Sequence, residues 1–228
     1  MARKPADQSV NREAILLAAA DVLRQNGYEA TTMKDIAARV GLTAASLYHH
    51  FKSKDFLLLS VLEIGLEHAI ARLEPLLHAT DLPCSERLRR MIATHIIEVA
   101  DNTAVGAAMV FEIRSLMNAK LSPRNGLTEA DYAEFIERRE AFFRRRDVFE
   151  GLFKQIIRQG INSGEFRPVD AGIVTKAMMG AQNWVGVWYK PTGRLSGPQV
   201  AEIMADTFIH SLLNATPQPA PRQETSHI

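Results

Sequence analysis

Apolar positions recur along this chain with a helical period almost from end to end. Ile15, Ala18, Ala19, Val22 and Leu23 fall at i, i+3, i+4, i+7 and i+8, which predicts a first helix that Gly27 stops. A short second helix, Met33 to Val40, opens at Thr32 with Asp35 three residues on, a capping-box-like pair, and Gly41 breaks it. A third runs from about Ala44 to His50, with Thr43 as its N-cap. Ser53 caps a long fourth helix in which Leu62, Leu66, Ala69 and Leu73 share one face. Further helices are predicted at about 84–101, 105–120, 129–162, 170–189 and 198–214. The last opens with a Ser196/Gln199 capping box and Pro198 in its first turn. Breaks fall at Leu82-Pro83, at Ser122 to Gly126, at Gly164 to Pro168 and at Pro191 to Gly193. Strand signals are nearly absent, so the pattern predicts an all-α chain of about nine helices.

Composition narrows the class without choosing within it. The 228 residues suit one large domain or two small ones. With 27 Lys+Arg against 26 Asp+Glu the formal net charge is +1, which excludes a polycationic nucleic-acid coat and an acidic disordered chain. The single cysteine, Cys84, excludes an internal disulfide and a Cys-cluster metal site, and no metal or cofactor is expected. The opening MARKPADQSV has no apolar core of a signal peptide, and no run of about 18 apolar residues occurs. A cytoplasmic protein with no membrane partner is therefore expected. The Pro-rich end, 215–228, reads as a disordered tail.

The first fifty residues end in two short helices joined by the Gly41-Leu42 turn. That is the layout of a helix-turn-helix, whose second helix enters the major groove of double-stranded DNA. The groove is about 12 Å wide, so a two-turn helix with small side chains sits deep in it. The candidate recognition helix starts small: Ala44 and Ala45 suit thymine methyls, while Thr43 and Ser46 suit base edges or phosphates. Leu47 and Phe51 are expected to face inward. Residues 1–55 carry eight basic and six acidic side chains, and Lys34, Lys52 and Lys54 flank the recognition helix where phosphates would lie.

Gly27 to Ala37, then Val40-Gly41-Leu42, then Leu47-Tyr48-His49-His50-Phe51-Lys52-Ser53-Lys54 resemble the TetR/AcrR family of bacterial transcriptional regulators over residues 10–60. The resemblance implies that Tyr48 and His49 meet phosphates, that Lys54 meets the DNA backbone, and that Thr32 and Lys34 touch phosphate. It implies a DNA-reading domain at 1–55, a ligand-binding and dimerisation domain at 56–214, and a homodimer on a palindromic operator. The predicted helix at 170–189 is apolar nearly all round and must be buried on more than one side, against the monomer core or a second copy. In the family the last two long helices pair into a four-helix bundle.

The segment 129–162 holds the least usual chemistry. With Arg138 set at 0°, Phe142, Phe149, Phe153 and Ile156 fall at about 40°, 20°, 60° and 0°, an apolar stripe. Arg145 lands near about −20°, Arg146 and Arg139 near about 80° and 100°. Guanidinium groups beside an apolar arc need partners. They form either interhelical salt bridges, to Glu98 or Glu112, or the mouth of a site for an anionic ligand with an apolar body. A second resemblance, at Gly160 to Phe166, Asn183-Trp184 and Trp188 to Ser196, is to the branch of the family that senses acyl-CoA thioesters. It favours the second alternative, with Arg138, Arg139, Phe142, Arg145, Arg146, Phe149, Met178 and Trp184 as effector contacts. An aromatic or multidrug-type sensor on the same fold is the alternative. An enzyme is not expected, since no Gly-x-Ser-x-Gly, His-Glu-x-x-His, Gly-x-Gly-x-x-Gly or P-loop motif occurs.

Overall fold

A computed structural model describes residues 12–118 and 127–214. The Pro-rich tail and the predicted break at Ser122 to Gly126 lie outside the described residues. Within them the chain forms ten helices: α1 Arg12–Ala30, α2 Met33–Arg39, α3 Ala44–His50, α4 Lys54–Leu77, α5 Cys84–Asp101, α6 Thr103–Phe111, α7 Ile113–Asn118, α8 Glu129–Asn162, α9 Ala171–Trp188 and α10 Gly197–Leu212. No strand occurs among the described residues, only an isolated antiparallel bridge between Phe166 and Leu213.

Most boundaries follow from local chemistry. Thr32 Oγ1 accepts from the Asp35 N–H while the Asp35 carboxylate accepts from the Thr32 N–H, closing the capping box at α2. Ser196 and Gln199 close the same box at α10, and Thr128 with Asp131 at α8. Gly27, at φ 73°, ends the regular part of α1 where the sequence predicts a stop. The predicted helix 105–120 is two helices, not one. The helical path turns at Glu112, whose buried carboxylate accepts from the Tyr28 N–H, 84 residues away, and from the Ser115 hydroxyl.

Two apolar cores meet along α4. One gathers Ile15, Leu16, Ile36, Leu47 and Phe51 from α1–α3 and the residue after α3; the other gathers α5, α8, α9 and α10 around Phe135, Phe153 and Ile96. Leu57 and Val61 of α4 enter the first core, while Phe56, Leu59 and Leu62 enter the second. Leu62, Leu66, Ala69 and Leu73 are buried together as their shared face requires. Central in the larger core is α5, which packs on α4, α8, α9 and α10. α6 crosses α9 at Gly106 and Gly186; a Cβ on Gly186 would stand 2.9 Å from the Gly106 carbonyl carbon, so glycine is what allows the approach.

Candidate nucleic-acid interface and effector cavity

α2 and α3 are locked into their relative pose by the turn between them. Gly41 takes φ 69°, and the Leu42 N–H returns to the Ala37 carbonyl at 2.8 Å. Leu47 and Phe51 are buried, as expected, and hold α3 on its neighbours. Thr43 caps α3: its Oγ1 accepts from the Ser46 N–H at 3.0 Å and lies 2.8 Å from the Ser46 hydroxyl. Thr32, Lys34, Thr43, Ala45, Tyr48 and His49 are exposed, and Ala44 and Ser46 partly so. Tyr48 keeps 53% of its surface, unusual for a ring its size. Lys34 forms no ion pair among the described residues.

Two of the lysines assigned to phosphates are engaged elsewhere. Lys54 turns inward: its Nζ donates to the Tyr28 and Thr31 carbonyls at 2.6 and 2.8 Å and lies over the Tyr28 ring. Those carbonyls close α1 and the segment after it, where a cation is favoured. Lys52 is exposed but pairs with Asp131 and Glu134 at the start of α8. That pairing is the first cause of the Asp131 carboxyl titrating at about 2, with the Thr128 hydrogen bonds adding to it. Tyr28 completes the junction. Its O–H donates to Asp55 at 2.6 Å, and burial first, then that bond, push the phenol's pKa up.

Behind this domain lies a cavity of about 330 Å³. Leu16 and Leu17 of α1, Val61 and Ile64 of α4, and Val105 and Met109 of α6 form much of its apolar wall. Phe149 and Met179 complete that wall. Polar groups enter from five helices, Glu13, His68 and Arg72, His95 and Glu98, Arg146, and Asn183, and from Asn102 between α5 and α6. His68, Arg72 and Arg146 are exposed and stand at its opening, whereas His95 is 6% exposed. Burial drives the His95 pKa down to about 4, so its ring is neutral; the bond to Asn183 opposes this only in part. Burial likewise pushes the Glu98 carboxyl up, offset by the charges of Arg72 and His68.

Of the eight effector contacts expected from the sequence, the cavity draws on Arg146 and Phe149. Arg138 donates to Glu63 and to the Ser60 hydroxyl, and Arg145 makes a two-pronged pair with Glu67. The salt-bridge alternative thus holds for these two, with partners on α4 in place of Glu98 or Glu112. Glu63 and Glu67 stand about one turn apart on α4, and Arg138 and Arg145, about two turns apart on α8, reach them as separate pairs. Arg139 lies over the Phe135 ring, 5.9 Å from its centroid. Phe142 and Met178 are sealed in the core. Trp184 stands on an outer face of α9, half exposed, edge-on to Phe111 at 6.1 Å. What the sequence pattern missed are the polar lining residues, and one signal was available. On α5 the buried stripe Leu88, Met91, Ile92, Val99 is interrupted by His95, a ring with two polar nitrogens among apolar neighbours.

Among the described residues no group of His, Cys, Asp and Glu could hold a metal, and no helix is long and apolar enough to cross a membrane. A helix-turn-helix with an exposed second helix, joined to a helical body around a cavity, defines the class of a DNA-binding regulator. Residues 15–61 match the family described as bacterial regulatory proteins, tetR family, and residues 127–212 match the tetracyclin repressor-like C-terminal domain. The HTH-type transcriptional repressor KstR2 of Mycobacterium tuberculosis H37Rv is 30% identical over 193 residues, spanning 84% of this chain and 87% of the relative. KstR2 of Mycolicibacterium smegmatis is 28% identical over 200 residues, 87% and 88% of the two chains. Among solved structures, the TetR family regulator PfmR of Thermus thermophilus superimposes with a TM-score of 0.70 at 31% identity, covering 86% of this chain and 97% of that one. AibR in complex with isovaleryl coenzyme A and operator DNA does so at 0.67 and 26%, covering 89% and 97%. The chain belongs to the TetR family of helix-turn-helix, DNA-binding transcriptional regulators.

Proposed function

We propose that the chain is a repressor that binds a palindromic operator as a homodimer and is controlled by a small effector with an apolar body and an anionic group, an acyl-CoA thioester being the best fit. The observation that carries this reading is the position of the cavity. Its wall includes Leu16 and Leu17 of α1 and Val61 of α4, side chains of the same helices that support the reading domain. An occupant therefore touches the DNA-reading unit directly, and a difference in its affinity for two poses of α1 and α4 shifts the spacing of the paired recognition helices. Operator binding needs about 34–36 Å between them, or a multiple of it.

Size and charge favour the thioester. About 330 Å³ is at the small end of ligand sites, enough for an acyl group but not for a coenzyme A moiety as well. The nucleotide would lie outside, past Arg72 and Arg146, whose guanidinium groups suit phosphates. AibR, a relative in fold, has been crystallised with isovaleryl coenzyme A and operator DNA. For the homodimer, Ile173, Ala177, Gly180, Trp184 and Trp188 form an exposed, largely apolar stripe down α9, with Ile203 exposed on α10. A fluorescence-anisotropy titration of the chain on DNA from its own promoter, with acyl-CoA esters of increasing length added, tests the reading. Release or tightening of DNA by at least one ester, weakened about ten-fold or more by Arg146→Ala, is expected. An effector whose action ignores Arg146→Ala would instead place the protein among sensors of uncharged aromatic or multidrug-type compounds.

A further inference from the structure

Four buried side-chain polar atoms among the described residues have no hydrogen-bond partner: Arg87 Nε, His95 Nδ1, Glu98 Oε2 and Gln182 Oε1. Arg87 and Gln182 lie away from the cavity; His95 and Glu98 line it, three residues apart on the same face of α5. The bonding on the other side of the His95 ring fixes what its free nitrogen can do. Its Nε2 lies 3.2 Å from the Asn183 amide oxygen, an acceptor, so Nε2 carries the proton. Nδ1 is then a bare lone pair, and a carboxylate oxygen likewise only accepts. The cavity presents two acceptors side by side against a wall of Leu, Val, Ile, Met and Phe, with its arginines kept to the opening.

We propose that this wall selects effectors whose apolar body carries a hydroxyl group, which donates to His95 Nδ1 or Glu98 Oε2. A purely apolar occupant of the same shape would fill the space and cut both acceptors off from water, and an acceptor isolated in that way weakens binding. A hydroxyl on the occupant supplies the missing hydrogen. This inference rests on the cavity being the effector site, and it is independent of the effector being a thioester.

Two matched sets of probes separate the questions: hexanoyl-CoA with its 3-hydroxy and 6-hydroxy derivatives, and toluene with p-cresol, which carry no coenzyme. Binding of each to the full chain is measured by calorimetry. The expected result is that at least one hydroxylated member binds about ten-fold or more tightly than its parent. In His95→Phe and, separately, Glu98→Gln, that preference should shrink to about two-fold in at least one variant, with the parent's affinity kept or raised. Should His95→Phe fail to fold, His95→Leu takes its place. Parents that bind as tightly as their hydroxylated partners overturn the inference while leaving the thioester reading intact. A cresol preference with no coenzyme A ester bound supports the inference and overturns the thioester reading. No binding of any member of either set overturns both.

Discussion

Lys54 shows how a side chain picked out by its charge has its direction set by groups distant in sequence. Its ammonium group is enclosed by two carbonyls and the Tyr28 ring, so it fastens the end of α1 to the start of α4. Lys54→Met leaves both carbonyls without that donor, and a loss of about 1–3 kcal/mol in urea unfolding is expected. Lys34 is the contrast: exposed and outside any ion pair among the described residues, it should leave stability unchanged when replaced by alanine. Operator binding should weaken instead, with the slope of log K against log salt falling by about one. His95 gives a pH signature. Its folded pKa is near 4 against an ordinary 6.5, so the neutral ring's contribution is complete above pH 6.5 and is lost progressively as pH falls toward 4. Glu98, pushed upward, acts in the opposite sense. The measurement is therefore a comparison: between pH 6.5 and 4.5 the unfolding free energy of His95→Phe should fall less steeply than that of the natural chain.

At the scale of elements, what was legible in the sequence was what is decided locally. Capping residues and glycine stops mark α2, α3 and α10 to within a residue or two, because Thr32, Thr43 and Ser196 act on backbone groups three residues away. The turn at Glu112 was illegible in the sequence, and the group its carboxylate holds there, the Tyr28 N–H, is 84 residues away. The arginines of α8 fell on the correct side of the helix, but periodicity cannot tell that the facing surface is the acidic edge of α4 and not an opening. The cavity itself, assembled from α1, α4, α5, α6, α8 and α9, leaves no period in any one of them. The pairing of Lys52 with the first turn of α8 makes an element-level prediction, since the same lysine flanks the recognition helix. Glu134→Gln removes one partner without touching the Thr128/Asp131 cap. If Lys52 serves a phosphate, operator affinity should rise by up to about five-fold at low salt, the range an exposed ion pair allows. An unchanged affinity would remove Lys52 from the DNA face.

For the whole molecule, the exposed tryptophans of α9 set the expectation for assembly. Trp184→Arg places a charge on the stripe without disturbing the core, because the ring is half exposed and rests only edge-on against Phe111. A dimer formed through this face should dissociate in sedimentation experiments, and operator affinity should fall by about a hundred-fold or more as one half-site is lost. A chain that still sediments as a dimer moves the interface elsewhere.

The division of α4 between two cores bears on whether the reading domain is portable. Every residue assigned to DNA lies before position 55, which suggests a cassette that could be moved from one regulator to another. Yet Leu57 and Val61, both fully buried, close the core of that cassette from beyond its end, and Leu23 of α1 is buried in the other core. Residues 1–55 alone should therefore show no cooperative thermal transition by circular dichroism. A sharp melt from that fragment would mean that α4 is only a connector. Exchanging operator specificity between members of such a family then means grafting surface residues of α2 and α3, because the apolar seam along α4 travels with the body it was fitted to.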